Sequence, residues 1–513
     1  MIFRPTNEFI ICRNVSLTPD YTHTMTFASE SAQSSFFLSK AKYTEDSALY
    51  IGSTNTLRVK YNAERLWDCS YIMWQNHDYG SKWFYAFITE IKFLNESTSE
   101  ITFELDILQT WYFDYDIKAC FIDREHTNND TVGANLVPEP VALGEYVTEK
   151  IVDTLSLNDM AIICATTYDG DKDVQGAIYS RVYQGCSFVA FEATSGAASQ
   201  LNRFLAGIAS KGKADAVVSI FMMPKAFLPS FTSGQPIPEY SVAVSKDVSY
   251  AITYTGLDGY YPKNLKLYTY PYRFLMATNN NGETVNYSYE HFNGTTAAFK
   301  MYGDISPDPS VVLTPTNYKV PTSEGKANNL YSLTIRDFPN CSWANLQYSN
   351  WLAQNRNRIG ANLINYGIGG AVNAATGNVG GVAGQIQSLI SMGADIYDKQ
   401  VVPNAYRGNV SGTLRAVRQL NLFTFYPQTI TAQMAATIDD FFSMFGYATH
   451  KVKTPNITGR ASWNYVKTAG AIVTGNAPAS VLREMQEILN RGITYWHGDY
   501  VGDYTRDNAI TTG

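Results

Sequence analysis

The residues that could do chemistry are present, but not in the spacings that chemistry requires. Gly207, Gly212 and Lys213 match the spacing of a phosphate-binding loop, yet Ala214 stands where a serine or threonine would hold magnesium. The run also closes a predicted helix at 197–209, whereas a phosphate loop lies between a strand and a helix. Asp169, Asp171 and Asp173 alternate like the opening of a calcium loop, but Val174 and Ser180 occupy the glycine and glutamate positions. What remains there is a solvated turn or a weak surface calcium site. His23, His77, His126, His291, His450 and His497 show neither HExxH spacing nor a GxSxG partner. Asp499 and Asp503 could serve a glycosidase only at a spatial separation that sequence does not give. Gly367, Gly369 and Gly370 do not complete a dinucleotide fingerprint, because Val372 takes the third glycine's place. Cys12, Cys69, Cys120, Cys164, Cys186 and Cys341 form no CxxC pair and read as buried free thiols. The sequence therefore predicts no enzyme, no cofactor and no metal site.

One stretch stands out. Residues 359–394 read IGANLINYGIGGAVNAATGNVGGVAGQIQSLISMGA, without a charge or a proline, fenced by Arg356 and Arg358 before and by Asp395, Asp398 and Lys399 after. Its apolar members are Ile359, Leu363, Ile364, Tyr366, Ile368, Val372, Val379, Val382, Ile386, Leu389, Ile390 and Met392. Small residues recur four apart at Gly367, Ala371 and Ala375, at Gly377 and Gly381, and at Gly380 and Gly384, the spacing that lets helix backbones approach closely. A bilayer span needs roughly 20 apolar residues. The stretch could hold one span, or two short legs turning near Gly377 or Gly380. Asn362, Asn365, Asn373, Gln385 and Gln387 are costly in hydrocarbon unless paired or facing water. Composition alone favours a glycine-rich helical hairpin or loop inside a soluble protein.

The elements that must position this stretch are mostly strands. A chain of 513 residues exceeds one core and predicts two to four substructures. Thirty-six tyrosines and 26 phenylalanines favour strands and contacts. The net charge of −7 argues against a nucleic-acid-binding surface. The first residues lack the basic start and long apolar core of a signal peptide, so synthesis in a cytoplasm is expected. Period-two alternation predicts strands at 56–61 and 100–105, and 71–90 reads as an aromatic hairpin around a polar turn. An α+β insertion over 149–263 has strands at 161–165 and 216–221. Hairpin grammar resumes from 264, with a turn at 279–282. A helix is expected through 340–351, a strand at 414–425, and helices at 438–445 and 479–490, the last capped by Gly492. The fenced stretch is thus an insertion with both ends anchored.

Certain blocks carry a resemblance. YIMWQNHDYGSKWFYAFITE at 71–90, FELDILQTWYF at 103–113, Tyr270-Pro271-Tyr272, FFSMFGYATHKVKTPNITGRASWN at 441–464 and Gly492-Ile493-Thr494-Tyr495-Trp496-His497 closely resemble the tail-knob, or distal tail-tube, proteins of φ29-like short-tailed phages. The likeness spans the body of the chain, with the 149–263 insertion divergent. It implies a mainly β protein with an α+β insertion: a β-barrel tail-tube body forming a ring, here a homohexamer around a channel for the genome, plus one long hydrophobic loop per subunit, helical in this reading. The divisions become tube body at 1–148, 264–345 and 403–513, an inserted knob domain at 149–263, and a plug loop at 346–402. Tyr406, Arg407 and Gly408 follow the uncharged stretch as the family's motif follows its loop, so 359–394 corresponds to that loop by position.

The resemblance further implies a virion location at the distal tail and partners among proximal tail-tube or collar proteins. Phage DNA would pass the lumen without specific binding, and the loops would open the host cytoplasmic membrane as a pore. Copies gathered at one axis would insert collectively where a single copy inserts poorly. A second reading is a host-surface adhesin whose aromatic-rich insertion, including Tyr179, Tyr183 and Tyr240, binds wall carbohydrate. A third, a tail hydrolase, would need turnover of wall polymer.

Overall fold

The computed structural model of the chain describes residues 7–46, 49–51, 54–77, 80–154, 160–167, 178–179, 182–183, 187–192, 204, 216–228, 234–236, 245–280, 282–303, 310–319, 331–335, 340–342 and 423–511. They form two compact units. The first comprises Met1–Gly144, Tyr260–Leu267 and Ala432–Gly513, and the second Glu145–Gly259 and Tyr268–Thr431.

The first unit opens with a sheet whose order is β3-β1-β6-β7-β8-β5-β4, from β1 (Asn7–Arg13), β3 (Ala41–Asp46), β4 (Leu49–Ile51), β5 (Thr56–Val59), β6 (Cys69–Asn76), β7 (Phe84–Asn95) and β8 (Thr98–Leu105). Its two end strands are consecutive in the chain, separated by residues 47 and 48 alone. One run, 41–51, therefore pairs with β1 through its first part and with β5 through its last. A link that short spans roughly 10 Å at full extension, so the sheet must curl strongly, into a half-barrel. Phe9, Ile11, Leu57, Val59, Ile72, Ala86, Ile101 and Phe103 fill its inside. Fully burying each such large side chain contributes about 1.5–3 kcal/mol.

The neighbouring residues on the same strands face a second core. Ile10 and Cys12 of β1, Tyr71 and Met73 of β6, and Tyr85 and Phe87 of β7 pack with Trp463, Tyr495 and Trp496. Strands buried on both faces read as unbroken apolar runs instead of alternating ones, which explains FIIC, YIMW and YAF. The 71–90 hairpin is borne out, with Tyr71 opposite Phe87 and Trp74 opposite Phe84.

This second core is walled by a sheet of order β2-β30-β28-β10-β27: β2 (His23–Met25), β10 (Cys120–Glu125), β27 (Tyr447–Lys453), β28 (Trp463–Ala469) and β30 (Ile493–Trp496). A small pair joins β9 (Tyr115–Ile117) to β29 (Val473–Gly475). Helix α1 (Glu30–Ser39) starts where the Ser29 hydroxyl accepts the Ala32 N–H at 3.1 Å. Helix α2 (Ile107–Thr110) is one turn capped by Asp106. Helix α3 (Ala432–Phe445) buries Ala435, Ile438, Asp439 and Phe442, a three-and-four spacing on one face. Helix α4 (Ala479–Arg491) buries Met485, Ile488 and Leu489 and ends at Gly492, whose φ of 103° suits glycine. Both helices expected near the C-terminal end are therefore present.

The second unit holds three larger sheets. In one, β26 (Thr424–Ile430) lies between β20 (Arg273–Thr278) and the successive strands β11 (Tyr146–Thr148) and β12 (Val152–Asp153), with β21 (Thr284–Tyr287) outside β20. In another the order is β18-β16-β13-β17-β25: β13 (Met160–Thr166), β16 (Ser187–Glu192), β17 (Val217–Pro224), β18 (Gln235–Pro236) and β25 (Asn340–Ser342). The third is β19-β22-β23-β24: β19 (Ser245–Ala251), β22 (Thr296–Gly303), β23 (Val311–Pro315) and β24 (Leu333–Ile335). A two-residue pair joins β14 (Ile178–Tyr179) and β15 (Val182–Tyr183).

Three expectations shift. Asn340–Ser342, taken for the start of a helix, is an edge strand paired with β17, so backbone pairing overrides local helical preference there. Of the strand expected over 414–425, residues 414–422 lie outside the described residues, and the strand described begins at Thr424 and reaches Ile430 through Pro427, a residue that is normally kept out of strand interiors. It is tolerated where the partner on one side changes from β11 to β12, and its carbonyl accepts the Glu149 N–H at 2.9 Å. Residues 265–268, where hairpin grammar was expected to resume, form a 3-10 turn. The helix expected at 197–209 lies outside the described residues apart from 204. So do the aspartates at 169–173, the phosphate-loop look-alike at 207–213 and the motif at 406–408.

Candidate functional site

The uncharged stretch itself lies outside the described residues. The apolar positions from Ile359 to Met392 and the small ones from Gly367 to Gly384 all fall in 343–422. What is described is the pair of strands between which that segment is inserted, both in the second unit. Before it, β25 forms the edge of its sheet, with Cys341 opposite Ile220. After it, β26 is an interior strand, with Phe423 and Phe425 fully buried. The return point is bonded on every side. The Thr154 N–H donates to the Phe423 carbonyl at 3.1 Å, and the Phe423 N–H donates to the Thr154 hydroxyl at 3.2 Å. The Thr424 hydroxyl donates to Asp153 Oδ1 at 3.0 Å and accepts from Asn280 Nδ2 at 3.0 Å. The Phe425 ring lies 4.9 Å from Phe299. Sequence reasoning expected both ends of the insertion to be anchored but not these contacts, whose one available signal was the alternation of Phe423 and Phe425 just beyond the insertion.

The first unit has its own densely bonded centre around the eight-residue strap Tyr260–Leu267. Three carboxylates hold it. Asp439, fully buried on α3, accepts the Tyr260 hydroxyl at 2.9 Å, the Lys263 N–H at 2.7 Å and the Asn264 N–H at 2.9 Å. Asp130 accepts the Leu265 N–H at 3.2 Å and the Tyr447 hydroxyl. Glu139 binds the Lys266 ammonium, the Arg124 guanidinium and the Ala448 N–H. Burial, with Arg124 beside it, pulls the Lys266 ammonium down to about 7. Burial raises the Asp130 carboxyl, opposed by the Tyr447 hydroxyl.

His126 completes this centre. Its Nδ1 accepts the Tyr465 N–H at 2.8 Å, so Nε2 carries the proton and donates to the Ser443 carbonyl at 3.0 Å. Burial and the neighbouring Arg460 hold its pKa down to about 3, so the ring is neutral. The other five histidines are distributed over the fold, with His497 held between Thr26 and Asn464 and His23 accepting the Trp496 indole N–H at 3.2 Å. Cys12, Cys69, Cys120 and Cys164 are buried and in no disulfide, and burial raises Cys12 to about 12. Cys186 and the Cys341 side chain lie outside the described residues.

These centres build and fasten; their donors and acceptors are spent on one another. Among the described residues no group of three or more histidines, cysteines or acids is arranged to hold a metal ion. No helix among them is long and apolar enough to cross a membrane.

Comparison with known proteins places this architecture. A family model described as the C-terminal domain of the Bacillus phage phi29 tail knob protein gp9 matches residues 239–509. A second, the N-terminus of the caudoviral major tail protein, matches residues 5–116, the stretch containing the curled sheet. Tail knob protein gp9 of Bacillus phage phi29 is 24% identical over 98% of this chain and 98% of its own length. Its counterpart from Bacillus phage B103 matches at the same identity and coverage. The bacteriophage C1 tail knob protein, gp12, shares the fold at a TM-score of 0.67, with 14% identity over 98% of this chain and 100% of that one. A mostly β chain built to fasten strands and straps, matched along its whole length, belongs to the phi29 gp9 family of phage tail knob proteins, structural components of the distal tail of the virion.

Proposed function

We propose that this tail knob protein assembles as a homohexameric ring forming the distal end of the DNA-conducting tail tube. Its uncharged segment plugs the channel and on release penetrates the host cytoplasmic membrane, opening a pore for the genome. The observation that carries this reading is the position of residues 359–394: 36 consecutive residues without charge or proline, inserted between the edge strand β25 and the locked strand β26. A segment held at both ends by strands can leave its resting place without leaving the protein. Its asparagines and glutamines are tolerable in a bilayer when several copies surround a wet lumen. The division into tube body at 1–148, 264–345 and 403–513, knob at 149–263 and plug at 346–402 belongs to this proposal. So do partners in the proximal tail or collar, and a lumen that DNA slides past without specific binding.

Dye release from liposomes tests it. The full chain is expected to release dye, and a chain lacking residues 356–400 to release none while keeping its oligomeric state. Equal release by the deletion would refute the plug. A second reading, a tail adhesin for wall carbohydrate, is favoured by half-exposed tyrosines on the second unit. The residues first considered for it do not help: the side chains of Tyr179 and Tyr183, and all of Tyr240, lie outside the described residues.

A further inference from the structure

Two surfaces of the first unit leave large apolar side chains in water, and their charges are opposite. One is the far end of the β7–β8 hairpin. β6 pairs with β7 only from Phe84 to Phe87, whereas β7 and β8 pair on to Asn95 and Thr98. Beyond Phe87, β7 therefore has, among the described residues, no strand partner on its other side. Phe93 and Leu94, adjacent near the tip, are 57% and 38% exposed. From Glu90 to Glu104 the hairpin carries four glutamates against the single Lys92, and of the four Glu100 is paired with Arg58. This surface is apolar at its tip and acidic around it.

The other surface is the outer face of β27, β10 and β28. Val452, Phe121 and Ala469 stand opposite one another across the three strands. Val452 is 73% and Phe121 38% exposed, and Ala469 is exposed as well. In the next row Asp123 lies between His450 and Lys467, at 3.6 and 3.2 Å, and the His450 ring stacks on Phe121 at 6.0 Å. β27 is the edge strand of its sheet, and Lys451 is exposed on it. Lys451 and Lys467 outnumber the one carboxylate, Asp123, so the rim of this apolar row is basic.

We propose that the β7–β8 tip of one copy of this chain docks on the β27–β10–β28 face of the next copy. The inference rests on the ring reading above and assigns the surfaces that close the ring. Charge selects the occupant. Two tips together, or two faces together, would set like charges against each other, whereas tip on face brings opposite signs together. The same docking covers the exposed apolar side chains of both surfaces, with an aromatic anchor at the centre and charges at the rim, as specific interfaces are built. Because the two surfaces differ, the contact runs head to tail, and head-to-tail contacts close into rings when the rotation between copies allows. The lysine at the free edge of β27 discourages indiscriminate strand pairing, so the edge admits an acidic partner in preference to others. Neither surface includes residues 359–394.

Mass photometry and sizing of the full chain test this. The wild-type chain is expected to assemble beyond its monomer mass of 57.1 kDa. Phe93→Asp spoils the tip and Val452→Asp spoils the face, and each should weaken assembly by about tenfold or more. Both side chains are exposed, so thermal melting should match wild type and verify the fold. Mixed in equal amounts, the two variants should form dimers and nothing larger, because each pair retains one sound tip and one sound face. Glu90→Lys and Lys451→Glu should each weaken assembly about threefold, and the double variant should recover. Assembly of both aspartate variants as tight as wild type overturns the assignment of these surfaces and leaves the ring reading standing. A wild-type chain that stays monomeric overturns both. A mixture that stays monomeric overturns the head-to-tail contact and assigns the exposed residues to a different tail protein.

Discussion

Tyr43 and Tyr61 stack across the seam of the curled sheet, ring centroids 3.9 Å apart and planes 24° from parallel. Tyr43 belongs to β3, at one end of the strand order, and Tyr61 follows β5, next to the other end. The stack lies in the part of run 41–51 that pairs with β1, before the run passes to pairing with β5. Beside it Glu45 approaches Lys60 at 3.8 Å. Side chains thus complete a perimeter that backbone hydrogen bonds carry elsewhere.

Removing that contact should loosen the seam without abolishing the curled sheet, whose inner core lies on the other strands. A double-mutant cycle with Tyr43→Ala and Tyr61→Ala is expected to give a coupling of about 0.5–1.5 kcal/mol in denaturant unfolding. Hydrogen exchange should rise first in β3. Additive effects of the two substitutions would mean that the rings touch without holding the seam.

Asp439 sits in the interior of α3, where a carboxylate ordinarily faces water. Here it accepts two backbone N–H groups and a phenol from the strap Tyr260–Leu267, as well as the Asn264 side chain at 2.8 Å. Asp439→Ala would strand those donors in the interior, at about 1–3 kcal/mol for each left without a partner. The expected outcome is loss of several kcal/mol of stability and loss of hydrogen-exchange protection at Lys263 and Asn264. Retained protection at those two amides would show that the strap is held by Asp130 and Glu139 alone.

Two buried groups give the stability of the first unit opposing pH slopes. His126 is held neutral, with its pKa lowered to about 3. Its contribution is present above the unfolded value of about 6.5 and is lost as pH falls toward 3. Asp106 is fully buried beneath Tyr71, whose hydroxyl donates to it at 2.8 Å, and burial raises its carboxyl to about 7. Its contribution is present below about 3.9 and is lost as pH rises through 7. Asp106→Asn removes the second slope and leaves the first. The variant should therefore gain stability relative to wild type as pH is raised from 4 to 8, by on the order of 2–4 kcal/mol across the window. A difference that shrinks with rising pH would refute the assignment.

Much of the curled sheet was legible because burial on both faces writes itself as unbroken aromatic runs, as at Tyr71–Trp74. The terminal helices were legible from the spacing of Ile438 and Phe442 and from the cap at Gly492. The centre around the strap was not. Asp130, Glu139, Lys266 and Asp439 look like ordinary solvated charges until the fold brings residues more than a hundred positions apart into contact. The continuation of the strand past 425 was hidden for a related reason, since the tolerance of Pro427 depends on where β11 gives way to β12. The uncharged segment is the reverse case. Composition alone makes it conspicuous, and its surroundings enter only through β25 and β26.

Gly446 is the sharpest test of how the parts of the first unit are fastened. It ends α3 at a φ of 63°, and a Cβ built there would stand 2.2 Å from the Glu125 carbonyl oxygen and 2.5 Å from the His126 nitrogen. Its own carbonyl accepts Arg124 Nη1 at 2.5 Å, so the close approach also holds the guanidinium that pairs with Glu139. Gly470 provides the comparison: its φ is 72°, and a Cβ there would meet nothing within 4 Å. Gly470→Ala should cost only the left-handed backbone penalty, roughly 1–2 kcal/mol. Gly446→Ala adds a backbone clash that no side-chain rotation relieves, and should exceed 4 kcal/mol or prevent folding, a range reserved for the most disruptive single changes. Thermal unfolding of both variants measures the difference. Equal destabilisation would mean that α3 and β10 can separate freely at this point, and that the strap's carboxylates hold the unit together without help from the backbone packing beside them.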